Sequence, residues 1–428
     1  MSHGCDVLVI GAGPGGLVAA AVAADAGLRV CLVDDNASAG GQIWRGGVGH
    51  ANAEAARWLR RLERARVEMR FGWRAVSAPG AHVLRIEQAG QFADVEYSSL
   101  IIAAGARELF LPFPGWTLPG VYGAGGLQAF VKSGFDIRGK RVVVAGTGPL
   151  LLAVAAHLRG AGAQIVCIVE QAPMERLARF SVRLLGGHPG KLLEGAGYAV
   201  KIAGVPYRTS AWVTSAWGRE RLEKVTIRSG RRILEVEADL LASGYHLVPN
   251  TELAQLLDCE IESGYVRVDE LQQTSVSGVY CAGELTGIGG VEKAKIEGRI
   301  AGLAASGQVE EARTLLGQRD RQIGFARGLS AAFALRDELR MLATSSTLVC
   351  RCEDVDYEAL AQCGSWREGK LHTRCGMGPC QGRICGPATE FLFGWKLPAP
   401  RPPVFPVDVG VLAQAWGDEA TAQKSLRP

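Results

Sequence analysis

A short strand-like run, Asp6-Val-Leu-Val-Ile10, leads directly into Gly11-Ala-Gly-Pro-Gly-Gly16. An Ala- and Val-rich stretch follows to about Ala26 and is closed by Gly27. Val30 to Val33 then reads as a second buried strand and stops at Asp34. Strand, glycine turn, helix, strand and acid in that order predict a parallel α/β unit that binds a dinucleotide. Gly11 permits the tight turn, Gly13 lets the backbone approach a pyrophosphate, and Gly16 lets the helix pack on the strand. The helix N-terminus offers free N–H groups and positive dipole to phosphates. Asp34 is placed to accept hydrogen bonds from an adenosine ribose, favouring FAD or NAD over NADP. Val7 to Ala24 is uncharged and long enough to suggest a membrane span. The interrupting glycines and Pro14 argue against that, and no basic segment precedes the run.

The same chemistry recurs. Arg141 to Ala145 reads as a buried strand, followed by Gly146-Thr-Gly148-Pro-Leu-Leu151, an apolar helix to about Leu158, and a strand from Gln164 to Val169 ending at Glu170. The chain therefore carries two dinucleotide-binding folds. The second departs at Leu151, where Gly or Ala ordinarily allows close helix–strand contact. Working NAD(H) binding there competes with a retained fold whose site is weak or empty. Part of the glycine excess, 56 of 428 residues, sits in these turns. The net charge of +4, from 47 basic against 43 acidic residues, excludes a basic nucleic-acid footprint.

Further segments extend the pattern. Gly40, Gly41 and Gln42 follow the second strand. Leu100 to Ala106 is a strand ending in small residues that include Ala104 and Gly105. Asp239 to Asn250 follows, then Thr274 to Glu284, closing in Cys-Ala-Gly-Glu. In that order, residues 1 to about 310 resemble the two-dinucleotide-fold flavoprotein disulfide-reductase superfamily. The resemblance implies FAD bound by Gly11, Gly13, Gly16, Asp34, Gly41, Gln42, Ala104, Gly105, Gly283 and Glu284. Glu284 stands where relatives carry an Asp that meets the ribityl chain. No Cys-x2-Cys or Cys-x4-Cys lies within residues 1–310, so a redox-active disulfide is not expected.

Six of the eleven cysteines fall between Cys350 and Cys385. Cys350-Arg-Cys352 and Cys380-Gln-Gly-Arg-Ile-Cys385 form two pairs, with Cys363 and Cys375 between them. Four thiolates can hold zinc or an iron–sulfur cluster. By spacing alone, Cys375 could equally pair with Cys380. The string Thr373-Arg-Cys-Gly-Met-Gly-Pro-Cys-Gln-Gly-Arg-Ile-Cys385 resembles the bacterioferritin-associated-ferredoxin type of 2Fe–2S domain. That resemblance implies Cys350, Cys352, Cys380 and Cys385 as ligands. Related glycerol-3-phosphate dehydrogenase subunits carry an apolar residue at the Cys375 position. Gly376, Gly378 and Gly382 are expected to let backbone N–H groups reach the cluster sulfurs, while His372 beside them is read as structural.

The expected organisation is a split FAD domain, 1–112 and 236–310, with a second dinucleotide-binding domain at 113–235. A helical linker (311–345), a 2Fe–2S domain (346–395) and a proline-rich arm (396–428) follow, the arm free at the surface or wrapped on a partner. This α/β chain resembles, over nearly its whole length, the FAD/2Fe–2S redox subunit of bacterial hetero-oligomeric amino-acid dehydrogenases: hydrogen cyanide synthase, opine oxidase and D-hydroxyproline dehydrogenase. The resemblance implies an amino-acid or imino-acid substrate and an amine-oxidising flavoprotein (beta) partner. It leaves room for a small ferredoxin-like component, and for FMN, ATP or NAD at secondary sites. With no targeting segment read in the sequence, the expected location is cytoplasmic, or peripheral at the inner membrane through the complex, with no transmembrane segment. The competing readings are an NADH-dependent flavin reductase and a non-catalytic nucleotide-binding scaffold. No catalytic base is assigned.

Overall fold

The computed structural model describes residues 4–45 and 53–411. The chain forms two compact units and passes between them four times. The first comprises residues 1–106, 249–323 and 399–428, and the second 107–248 and 324–398.

In the first unit, β1 (Cys5–Ile10), α1 (Pro14–Asp25) and β2 (Val30–Asp34) form the expected parallel pair with its crossover helix. Beyond them lie α2 (Ala53–Arg64), β3 (Glu68–Phe71), β4 (Arg74–Gly80), β5 (Val83–Gln88) and β6 (Gln91–Ile102). The sheet runs β3-β2-β1-β6-β5-β4, and the later strand Val279–Cys281 pairs in parallel with β6. β1 and β6 carry apolar side chains on both faces because helices or loops cover both sides. Val7, Leu8, Val9, Leu100, Ile101 and Ile102 are all fully buried.

α1 is buried along almost its whole length. It lies between the sheet and a helix, Val291–Ala305, that follows the Gly283-Glu284 turn. The two helices meet backbone to backbone. A Cβ on Gly298 would collide with the Gly15 carbonyl oxygen, and one on Gly302 would come within 2.7 Å of the Ala19 carbonyl oxygen. At the other side of α1, a Cβ on Gly16 would strike the Gly11 carbonyl oxygen. Gly11 itself has φ +105° and is pressed against the Ala103 carbonyl.

The arm docks on its own unit. Val404 donates its N–H to the Val76 carbonyl of edge strand β4 at 2.8 Å, and the Arg74 guanidinium lies 4.8 Å from the Phe405 ring centroid. Residues 412–428 of the arm lie outside the described residues.

In the second unit a parallel five-stranded sheet orders Tyr207–Arg208, Gln164–Glu170, Arg141–Gly146, Leu240–Gly244 and Val121–Gly123. Leu240–Gly244 therefore belongs here, between the Arg141–Gly146 and Val121–Gly123 strands. The chain returns to the first unit at 248/249 rather than at 236, and leaves it at 106/107 rather than at 112. A continuously buried five-residue strand fits either parallel sheet, so its composition does not reveal which one it joins.

The expected linker divides as well. Its main helix, Leu316–Ala332, runs across the boundary at 323/324, and the segment 324–398 clusters with the second dinucleotide fold. Phe325 and Phe333 pack on Phe180, and the Trp116 indole N–H donates to the Leu348 carbonyl at 2.6 Å. The cysteine lobe is thus seated within this unit.

The close contact of the two helices predicts that Gly298→Ala should destabilise the protein by about 1–3 kcal/mol through forced separation of the helices. Chemical unfolding would measure it, and the exposed glycine variant Gly324→Ala should show no such loss.

Candidate cofactor sites

The Gly11–Gly16 turn delivers α1 end-on to the tip of β1. No side chain caps this helix. A Cβ on Gly13 would meet nothing within 4 Å, so the turn leaves an open face against which a phosphate can lie. Gly41 closes on the same point: its Cβ position lies 3.0 Å from the Gly13 Cα. Asp34 is buried at the end of β2, where its carboxylate accepts from the Ala12 N–H at 2.5 Å and the Asn36 N–H at 2.7 Å. Gln42 is exposed. Ala104 and Gly105 lie beside the glycine turn and are held by Asn250, which donates its side-chain amide to the Ala104 carbonyl at 2.8 Å and its N–H to the Gly105 carbonyl at 3.0 Å. The open cradle, uncapped helix and buried acid fit an FAD pyrophosphate and ribose.

Gly283 and Glu284 open a short 3₁₀ turn. The Glu284 carboxylate accepts from the N–H groups of Gly289 and Gly290, at 3.0 and 2.9 Å. Burial pushes its pKa up, and the nearby Lys293 ammonium opposes that rise. Beneath the turn lies a feature the sequence reading missed. Lys293 and Glu297 form an ion pair at 2.7 Å with both side chains 2% exposed. Glu297 also accepts from the Gly283 N–H at 2.9 Å and the Thr286 hydroxyl at 2.7 Å, while Lys293 donates to the Gly283 carbonyl at 2.9 Å. The available signal was a Lys and a Glu four residues apart on the buried face of a helix, directly after the Gly-Glu turn.

The second glycine turn is arranged differently. Leu151 is fully buried and packs into the apolar core of this unit. Glu170 spends its oxygens on its own loop, accepting from the Thr147 hydroxyl at 2.7 Å, the Gly148 N–H at 2.8 Å and the Ala172 N–H at 2.7 Å. A further carboxylate, Glu108, caps the helix Ala124–Lys132 through the Gly125 and Gly126 N–H groups at 2.7 and 2.9 Å. Burial raises the pKa of both acids. Two inward-facing carboxylates make this turn less receptive to phosphate than the first.

None of the eleven cysteines forms a disulfide. Cys5, Cys31, Cys167, Cys259 and Cys281 are buried singly, and desolvation pushes Cys5 and Cys167 to about 11 and Cys31 to about 12. The small lobe is different. The strand Leu348–Cys350 enters it, and the helix Trp366–Thr373 starts on the Ser365 cap and ends in left-handed Arg374, which turns the chain into the Cys375–Ile384 loop. The helix Cys385–Phe393 follows.

Cys350, Cys375 and Cys385 place their sulfurs within 4.8 Å of one another, all buried. The Cys380 thiol lies beside those of Cys385 and Cys352, and both influence its ionisation. Thus five thiols converge, and Cys363 remains apart, bonded to the Ala359 carbonyl. His372 is exposed. Neighbouring thiols and the Gly376 N–H pull Cys350 down to about 2, and the Cys385 thiol with the Ile384 and Gly382 N–H groups brings Cys380 to about 5.

The loop glycines also have a packing role: a Cβ on Gly376 or Gly382 would come within 2.6 or 3.1 Å of the Trp366 ring, and one on Gly378 would collide with the Cys352 Cβ. So many thiols held with backbone donors aimed at them suit an iron–sulfur cluster.

Residues 5–304 match the family model described as pyridine nucleotide-disulphide oxidoreductase. The chain belongs to that family. Within it, the chain is 34% identical to the hydrogen cyanide synthase subunit HcnB of Pseudomonas aeruginosa, over 96% of this chain and 99% of the relative. It is 33% identical to an opine oxidase subunit of Rhizobium meliloti, over 89% of this chain and 90% of the relative. The fold is shared with L-proline dehydrogenase from P. horikoshii at a TM-score of 0.68 and 18% identity, covering 96% of this chain and 80% of that one. The five cysteines within the matched region are all free and buried. Among the described residues no helix is long and apolar enough to cross a membrane.

The thiol environments predict an alkylation pattern. With metal-free native protein at pH 7, iodoacetamide should label Cys380 ahead of the buried thiols, since its neighbours lower its pKa to about 5 and it is not fully buried. Peptide mass spectrometry should find Cys31 and Cys281 unlabelled until the chain is unfolded. The buried ion pair predicts that Lys293→Met costs about 3–5 kcal/mol by stranding Glu297. Unfolding of Lys293→Met beside the double variant Lys293→Met/Glu297→Leu would test this, the double recovering much of the loss.

Proposed function

We propose that this chain is the electron-transfer flavoprotein subunit of a hetero-oligomeric dehydrogenase that oxidises a secondary amine or amino acid, such as D-hydroxyproline, proline or an opine. The observation that carries the reading is the presence in one chain of an open phosphate cradle and a five-thiol lobe, in a sequence related over 96% of its length to HcnB and over 89% to the opine oxidase relative. FAD would be held in the first unit by the N–H groups at the Gly13 turn, by Asp34 and by the Gly283-Glu284 turn. A 2Fe–2S cluster would be held in the cysteine lobe by Cys350, Cys352, Cys380 and Cys385. A flavin accepts electrons in pairs and passes them on singly, and an iron–sulfur centre carries one at a time.

The protein's own contribution is positioning. The buried Lys293–Glu297 pair holds the Gly283 backbone, Glu284 fixes the loop at the start of the following helix, and Gly376 and Gly382 direct N–H groups at thiolate sulfurs. The catalytic partner would be an amine-oxidising flavoprotein that supplies the electrons, and a small ferredoxin-like protein would be a further component. The inward-turned Glu170 and the buried Leu151 favour this reading over an NADH-dependent reductase.

The test is to purify the chain alone and together with the products of neighbouring genes, and to record absorbance and dye reduction. The expected result is a flavin and iron–sulfur spectrum, with dye reduction by an imino or amino acid only in the complex. Rapid dye reduction by the lone chain with NADH would overturn the assignment. Gly13→Val should abolish flavin retention while leaving the iron–sulfur bands, and Cys380→Ser should do the converse, each read from the spectrum of the purified variant.

A further inference from the structure

Four thiolates complete a 2Fe–2S cluster, two on each iron, yet five thiols meet in the lobe. With Cys350, Cys352, Cys380 and Cys385 as the ligands of the proposed function, the buried group of Cys350, Cys375 and Cys385 holds two ligand sulfurs and one thiol more. Cys352 is held to the loop that carries Cys380: the Cys380 N–H donates to its sulfur, and Gly378 packs against its Cβ. Cys375 is left over. It is 0% exposed, and its sulfur lies within 4.8 Å of the sulfurs of Cys350 and Cys385. Its backbone is fixed by the Thr373 hydroxyl, which accepts its N–H at 3.2 Å, and by the packing of Gly376 under Trp366.

We propose that Cys375 binds no iron and instead donates an S–H···S hydrogen bond to the Cys350 or Cys385 thiolate, setting the cluster's reduction potential. The inference rests on the cluster reading of the lobe. A reduced cluster carries one more negative charge than an oxidised one. A donor aimed at a ligand sulfur therefore stabilises the reduced form more, and raises the potential. Cys375 acts through the ligand sulfurs beside it and not by binding the metal.

The experiment uses the full chain co-expressed with its partners, as wild type, Cys375→Ala, Cys375→Ser and Cys352→Ser. Iron and acid-labile sulfide are counted, the potential is titrated against dyes, and the reduced cluster is examined by electron paramagnetic resonance. The expected result is an intact cluster in Cys375→Ala that is about tenfold harder to reduce, a fall of ~59 mV for one electron. Cys375→Ser should recover part of that shift, the resonance should change in Cys375→Ala, and Cys352→Ser should lose iron. An intact cluster with unchanged potential and resonance in Cys375→Ala would overturn the proposal and leave the function reading standing. Iron lost in Cys375→Ala but kept in Cys352→Ser would overturn it too, by making Cys375 a ligand. A wild-type protein with flavin and no iron would remove the cluster reading and this inference together.

Discussion

Backbone pressed on backbone around α1 is the constraint on which the first unit depends. Gly11 and Gly16 bring the helix onto the sheet, and Gly15 with Gly298 and Gly302 bring the second helix onto the first. Side chains in any of these places would push the layers apart. The helix start would then no longer be aimed from the tip of β1, and the phosphate cradle at Gly13 would lose its floor. Ligand binding and core packing therefore draw on the same few glycines. They differ in one respect: the packing glycines have neighbours where a Cβ would stand, whereas Gly13 has open space.

The two glycine turns share a plan and differ in what surrounds them. Both begin with a strand, a glycine turn and a helix, and both end in a buried acid. In the second, Leu151 fills the place of a packing glycine, Glu170 bonds its own loop three times, and Glu108 occupies a neighbouring helix start. An anion approaching there meets two carboxylates. The same unit also holds the antiparallel strands Ala211–Trp217, Lys224–Ser229 and Arg232–Glu237 and the cysteine lobe.

Much of this was legible in the sequence. The first turn was readable because Gly11, Gly13, Gly16 and Asp34 have a fixed local grammar, and the clustering of thiols was readable from Cys350, Cys352, Cys380 and Cys385 alone. What was not legible depended on long-range packing. Leu240–Gly244 is as apolar as a flavin-domain strand and pairs with Arg141–Gly146 instead. Gly298 and Gly302 look like ordinary helix interruptions until α1 lies against them. Lys293 and Glu297 are two charges four residues apart, with nothing local to mark them, and they are buried under Gly283. Gly376 and Gly382 looked as if they served only the cluster, and they also make room for Trp366. In each case the deciding neighbour is far away in the chain.

The parallel strand Val279–Cys281 completes the first sheet beside β6, although the two are separated in sequence by the whole of the inserted fold. During synthesis, the N-terminal strands must wait for that insertion to emerge before their last neighbour arrives. Until then Leu100–Ile102 at the end of β6 lack their partner on one side, and α1 lacks the helix that buries its outer face. Such pairing is slow because the loop closure comes before the contacts that repay it. The unfinished sheet is an attachment point for other chains and for chaperones, so the nesting that assembles two cofactor folds from one polypeptide also makes the nascent protein vulnerable until its second half is made.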